Sequence, residues 1–343
     1  MKILFVWPCV TFSVWDVARG YRNALGKILG ETNIQDYYLD KRIAYHQRAI
    51  PVEAQNETVL AKYASETVLN EALYFQADLV IIVSGLNFHP IGLWLLERAG
   101  IKTITIMTES PYNDDSQADW ASVFPEMQIV TTERTSAKEY GWEYIPHAYD
   151  PQVHCPMKSD KELECDVLLV GTGWPERQRI LEKVNWEGIK LKLFGLWPNM
   201  DKYNVLNQFH TSGMIDNVDL PRYYASAKIC LNIHRGHETA ESMNPRAYEI
   251  AACGAYQICD TRQEVSEMFG ESVPVIKTAA LLDYEIRWAL SHPQERIARA
   301  QESRKRILSH TFEPRARALL SAVGYGGKPP EKPIETALET TFG

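Results

Sequence analysis

No two cysteines stand at Cys-x-x-Cys spacing; the six present (Cys9, Cys155, Cys165, Cys230, Cys253 and Cys259) are scattered along the chain. That scatter suggests neither a zinc ribbon nor a disulfide frame. Several lie in apolar stretches, where a reduced thiol packs as a small hydrophobe. No run reaches the roughly 20 apolar residues of a membrane span, and the opening MKILFVWPCV lacks the cleavage pattern of a signal peptide. The expectation is a cytoplasmic protein without a membrane span. Basic residues are in deficit, 36 Lys and Arg against 44 Asp and Glu for a formal charge of −8, which argues against general nucleic-acid coating. There is no solenoid period, no low-complexity tract, no Asp-x-Asp and no complete Gly-x-Gly-x-x-Gly. The last two absences weigh against a metal-bound diphosphate of the GT-A kind and against a dinucleotide-dependent dehydrogenase.

What is present reads as an ordinary globular chain: 343 residues, 45% hydrophobic and 23% charged, a length that favours two domains. Lys2–Trp7 is a short apolar run typical of a buried parallel strand. Ser13 can cap the following helix, in which Val14, Val17, Ala18, Tyr21, Leu25, Ile28 and Leu29 repeat at helical spacing until Gly30 stops it. Strands follow at 78–84, 102–107 and around 128–132, with a helix near 91–99. The grammar restarts at 166–170, with strands at 191–195, 228–233, 256–259 and 273–276, a helix from Pro245, and closing helices at 279–290, 293–309 and 314–322. Alternation of this kind implies parallel sheets covered on both faces. The fold class expected is therefore α/β, two Rossmann-like domains facing each other across a cleft. Residues 1–152 are expected to form one of them and 160–312 the other. Residues 313–343 add a closing helix and an extended tail, and the segment 144–156 is the linker. Such a cleft binds ligands at the carboxyl ends of the strands.

The motifs decide among the functions this outline can host. Gly171-Thr-Gly173 joins a strand to a helix, so its amides can approach a phosphate, or it is simply a tight turn; residue 176, where a third glycine would complete the fingerprint, is Glu. Arg177 and Arg179 either reach a diphosphate or are solvated helix charges. The most informative stretch is KICLNIHRGHETAESMNPRAYEIAACGAYQICD, residues 228–260. After its strand, a loop carries His234, Arg235, His237, Glu238 and Glu241. Asn244 is then a good N-cap with Pro245 at the first helical position, and the free amides at that helix start make an anion site. Glu249 lies one turn further, among small apolar neighbours, where a carboxylate needs hydrogen bonds or a partner. The two hydroxyls of a ribose would satisfy it, and so would exposure or a pair with Arg246.

The run from Tyr224 to Gly270, with AKICLNIHR, NPRAYEIAACGAYQICD and EVSEMFG, resembles the C-terminal domain of CgeB-like (spore maturation protein-like) GT-B glycosyltransferases. The flank LSHPQERIARAQESRKRILSHTFEPRARALL is similar to that family's ending. The resemblance covers about residues 160–320, and the first half shares only the general GT-B pattern. It implies a glycosyltransferase in which Glu249 holds the nucleotide ribose, Glu241 lies near the donor sugar, and Asn244, Arg246 and Arg235 lie by the diphosphate. Backbone around Ser212-Gly213-Met214-Ile215 would contact the base. In place of a small Gly-rich loop, Glu241 is followed by Ser-Met-Asn-Pro.

The implied chemistry is transfer of a sugar from a nucleotide-diphosphate donor, a UDP-sugar first among them, with retention and with no resident cofactor or metal. An inverting reaction would need a base in the first half, and Glu109 or His89 is placed for it. His234 and His237 stand alone as metal ligands. Trp7 and Trp15 can stack on a sugar or pack in the core. The acceptor stays open among a polysaccharide precursor, a small molecule, a protein and modified DNA. Eight basic residues from Arg287 to Arg317 against three acidic ones form either a solvated helical face or a phosphate-tracking patch for hydroxymethylated DNA bases. A catalytically silent nucleotide-sugar binding protein is the reading from another class.

Overall fold

The computed structural model describes residues 1–9, 12–124, 127–198, 200, 204–211, 213–237 and 239–325, with the side chains of residues 12 and 13 excepted. The Ser13 cap, Ser212, Glu238 and the tail from 326 therefore lie outside the described residues.

The first half runs β1 (Ile3–Trp7), α1 (Phe12–Leu29), β2 (Ile34–Tyr38), α2 (Leu39–Ala49), α3 (Glu57–Phe75), β3 (Leu79–Val83), α4 (Pro90–Arg98), β4 (Lys102–Met107), α5 (Asp114–Ser122), β5 (Gln128–Thr131), α6 (Arg134–Tyr140) and β6 (Glu143–Tyr144). Its six strands pair in the order β2-β1-β3-β4-β5-β6, and every pair is parallel. Strand β1 is buried along its whole length because both faces of the sheet are covered. Ile3, Phe5 and Trp7 point to one core with α1, while Leu4 and Val6 point to another with α3 and α4.

The second half runs β7 (Cys165–Val170), α7 (Pro175–Leu181), β8 (Leu191–Phe194), β9 (His210–Thr211), α8 (Leu220–Ser226), β10 (Ala227–Asn232), α9 (Pro245–Ala252), β11 (Gln257–Asp260), α10 (Gln263–Phe269), β12 (Val275–Ile276), α11 (Ala279–Ser291), α12 (Pro293–Ile307) and α13 (Phe312–Ala322). Its sheet, again parallel, has the order β12-β11-β10-β7-β8-β9. Val167 and Leu169 face α7 and α11, and Leu168 and Val170 face α8 and α9. The two Rossmann-like halves expected from the sequence are both present. No described helix is long and apolar enough to cross a membrane.

Two features depart from the sequence reading. Residues 34–75, unassigned from the sequence, hold an edge strand and two helices. Strand β2 has the sequence IQDYY, too polar to announce itself, and it is half covered because it ends the sheet. The larger departure is α13. Read as closing the second domain, it instead returns to the first, where Phe312, Ala316, Leu319 and Leu320 complete the core of β1 and α1. Its last turns cover apolar surface that α1 alone leaves open. Gly20 on α1 is what admits it, because a Cβ there would collide with the Phe312 ring.

Gly20→Ala should therefore lower stability by about 1–3 kcal/mol through overpacking, read by urea unfolding. In Gly20→Ala with Phe312→Leu the two losses should sum to less than their separate values. Full additivity would mean that the helices do not meet there.

Candidate donor cleft

The carboxyl ends of both sheets line one cavity of about 560 Å³ between the halves. On its second-domain wall, β7 ends at Val170 and the chain turns through Gly171, whose φ of +142° suits only glycine. A Cβ there would stand 2.7 Å from the Arg246 guanidinium and 3.0 Å from that of Arg177. Two arginines from two helices are thus packed over one α-carbon, at the cavity wall. Arg177 is 4% exposed and is held by backbone oxygens, donating from Nε to Ile233 at 2.7 Å and from Nη1 to Thr172 at 2.5 Å. Burial and the neighbouring Arg246 pull its pKa down to about 9. Among the described residues, no carboxylate forms an ion pair with Arg177 or Arg246. A cationic pair held in place by backbone and facing a cavity is built for an anion.

The start of α9 adds to it. Asn244 caps the helix by accepting from the Ala247 amide at 3.2 Å, and its side-chain amide pairs reciprocally with that of Asn232 at 3.0 Å. The Asn244 amide donates to His234 Nε2 at 3.2 Å, while His234 Nδ1 faces Asp260 Oδ1 at 2.5 Å. His234 therefore acts as a neutral imidazole, and burial lowers its pKa although Asp260 opposes this. Arg262, buried at the same wall, donates to the carbonyl of Arg235 at 2.8 Å. The Arg235 guanidinium lies over the rings of Tyr112 and Trp174, 4.4 and 4.7 Å from their centroids. Tyr112, from the first half, donates to the same Arg235 carbonyl at 2.9 Å.

Further contacts join the halves at the rim. Glu133, 3% exposed at the end of β5, accepts from the amides of Glu241 at 2.9 Å and Ser242 at 3.2 Å. Ser242 Oγ accepts from the Arg134 amide, and Thr135 Oγ1 donates to the carbonyl of Thr239 at 2.6 Å. Tyr144 donates to Glu264 at 2.8 Å, and Arg134 pairs with Glu267 at 2.5 Å.

Of the residues singled out in the sequence, Glu249, Asn244, Arg246, Arg235, Gly171, Arg177 and Glu109 line the cavity together. Glu249 is 7% exposed and accepts from Asn217 Nδ2 at 3.1 Å. Glu109 stands on the first-half wall. Burial raises its pKa, against a hydrogen bond from Thr108 and the charge of Arg235. Four others stand off the lining. Glu241 turns to the rim and pairs with Lys138 of α6 at 3.1 Å. His89 caps α4, its Nδ1 accepting from the Ile91 amide at 3.2 Å. Gly173 sits under the Trp197 ring as a packing glycine. The carbonyl of Gly213 accepts from the Gly195 amide at 3.1 Å, and its neighbours Met214 and Ile215 do reach the cavity.

Sequence reasoning missed Asp16, His154 and Asn217, which gather around Glu249. No motif marks them, since each comes from a different element. Trp7 lines the cavity and belongs to the core as well, packed on Trp15 at 4.5 Å between ring centroids.

Residues 153–321 match the sequence model of a family described as "Glycosyl transferase-like". The chain is 23% identical to the spore protein CgeB of Bacillus subtilis (strain 168) over 262 residues, 70% of this chain and 80% of that protein. Among solved structures, a sucrose-phosphate synthase from Thermosynechococcus elongatus superposes with a TM-score of 0.66 at 13% identity, covering 94% of this chain and 98% of that one. HepE from Anabaena, solved with UDP-glucose, gives a TM-score of 0.62 at 11% identity, covering 94% and 100%. The fold is GT-B.

The anion site predicts that inorganic pyrophosphate raises the melting temperature of the protein. Arg246→Gln should weaken that binding by about tenfold to a hundredfold, the range for one charge-assisted contact. Gly171→Ala should act in the same direction by displacing both guanidinium groups. An unchanged response in both variants would place the anion elsewhere.

Proposed function

With residues 153–321 forming a glycosyl transferase-like domain on a GT-B frame, we propose that the protein moves a sugar from a nucleoside-diphosphate donor, a UDP-sugar first among them, to a hydroxyl-bearing acceptor with retention at the anomeric carbon. The observation that carries the reading is the pair of guanidinium groups over Gly171, neither of which forms an ion pair with a carboxylate among the described residues. They lie beside the amides at the start of α9, so one wall presents fixed positive charge where a diphosphate would depart. The solved neighbour HepE was captured with UDP-glucose, which favours UDP as the nucleotide.

In this reading, the diphosphate sits on Arg177, Arg246 and the helix start, with Met214, Ile215, Gly195 and Leu196 around the base and Glu249 at the ribose. As the bond between the anomeric carbon and the β-phosphate oxygen lengthens, positive charge grows on the sugar and negative charge on the phosphate. Preorganised arginines stabilise that phosphate without rearranging, an effect worth a few kcal/mol per donor. This charge does the work a metal ion does in other transferases, and the reaction is proposed to need none. The acceptor hydroxyl attacks from the same face, and its proton passes to the departing phosphate oxygen. Glu109, half-buried on the opposite wall, accepts a hydrogen bond from that hydroxyl and orients it.

A polynucleotide acceptor finds less support. None of the eight basic residues between Arg287 and Arg317 lies on the cavity lining. Arg287, Arg306 and Arg317 pair with acidic residues on their own helices, and Arg304 and Arg315 bond backbone carbonyls.

A thermal-shift screen against UDP, GDP, ADP, CDP and dTDP tests the donor site. One nucleotide should raise the midpoint, and Glu249→Ala should remove the shift while leaving the ligand-free midpoint near normal. No shift with any of the five would end the reading. Once a donor and acceptor are in hand, Glu109→Gln should retain turnover within about a hundredfold of the parent, whereas a catalytic base would lose more. Because burial raises the Glu109 pKa, its charged form disappears as pH falls through a value above the usual carboxylate range. The acid limb of the pH–rate profile should lie correspondingly high, and Glu109→Gln should abolish that limb. An inverted product by NMR would refute retention.

A further inference from the structure

Polar groups from four parts of the chain meet on the cavity lining. His154, near the end of the linker, is 5% exposed, and among the described residues neither ring nitrogen has a hydrogen-bond partner. Its Nε2 stands 3.7 Å from Oε1 of Glu249. Asn217 donates to that same oxygen at 3.1 Å, while its own Oδ1 is buried without a partner. Across the cleft, Asp16 of α1 pairs with Arg19 at 2.5 Å, and burial, with a smaller contribution from the charge of Glu249, raises its pKa to about 6. All four of Asp16, His154, Asn217 and Glu249 line the cavity.

A buried imidazole with two idle nitrogens is costly, because each polar atom has given up water and gained nothing. The His154 ring offers an N–H donor, Asn217 Oδ1 offers an acceptor, and Glu249 offers carboxylate oxygens. A vicinal diol matches that inventory: two hydroxyls that donate to carboxylate and amide oxygens and accept from the ring N–H. A single hydroxyl leaves part of it idle.

We propose that His154 and Asn217, with Glu249, form a diol-reading site that selects ribonucleotide donors against their 2′-deoxy counterparts. This inference rests on the donor-site reading above. It adds residues to that site and a selectivity which the reading alone does not require. A donor lacking the 2′-hydroxyl strands buried groups of His154 or Asn217, and sites built to bond a hydroxyl reject its absence strongly. His154 and Asn217 are here specificity-determining residues with no part in the transfer step.

The test is calorimetric titration of the protein with UDP, ADP, GDP and CDP, each beside its 2′-deoxy form, with pyrophosphate as control. The nucleotide that binds should do so at least about tenfold more tightly in the ribo form. In His154→Phe, the ribo form should weaken to within about threefold of the deoxy form, with deoxy affinity and pyrophosphate affinity held. Asn217→Ser should reduce the same ratio, and serves if His154→Phe does not fold. Equal affinity of the two forms for the parent protein would overturn this inference and leave the donor site standing. A ratio unchanged in both variants would overturn it too. Failure of every nucleoside diphosphate to bind would overturn the donor-site reading together with this inference.

Discussion

The second-half wall of the cleft is built around two guanidinium groups packed over one α-carbon. Among the described residues neither Arg177 nor Arg246 forms an ion pair with a carboxylate, and a like-charged pair persists there only if the surroundings hold it. They do. Backbone carbonyls of Thr172 and Ile233 grip Arg177, Gly171 leaves room for both groups, and Asn244 fixes the helix start from which Arg246 projects. The parallel sheet explains why these pieces meet. The turns after β7 and β10 both open at the carboxyl edge, so residues some 70 apart in sequence share one wall.

The second organising element is a carboxylate that faces the other way. Glu133 spends its oxygens on the amides of Glu241 and Ser242, fastening a loop of one half to a strand end of the other. That loop leads directly into α9. Alignment of the anion site with the first-half wall is therefore set by hydrogen bonds a few residues upstream of the arginine it orients. Glu264 repeats the device one element later, accepting from Tyr144 of the first half and from Tyr248 and the Met243 amide of the second.

What the sequence made legible follows from locality. Buried parallel strands announce themselves as short apolar runs, and β1, β3, β4, β7 and β10 were all readable. So was the start of α9, because capping chemistry is confined to four residues. Glu249, Arg246 and Arg177 were reachable for the same reason. Strand β2 was hidden by its polar IQDYY sequence, and α3 by burying small residues, Ala64, Ser65 and Ala72 among them, in place of a broad apolar stripe. The destination of α13 depends on a surface more than 280 residues earlier, and no local pattern records it. The grouping of Asp16, His154 and Asn217 is hidden for that reason as well. Glu241 shows the converse: the family resemblance implied a place near the donor sugar, yet a loop can turn a side chain to the rim, and this one meets Lys138.

The return of α13 has a mechanical consequence. The second half is joined to the first by the outgoing segment before β7 and again by the incoming segment before α13, and the two crossings touch, with Tyr149 bridged to Thr311 and its amide bonded to the carbonyl of His310. A body on one tether can swing and twist in any direction. A body on two adjacent tethers keeps a single easy motion, rotation about the line through both, as a door turns on paired hinges. Two crossings set side by side thus define one line about which the walls of this cleft can turn.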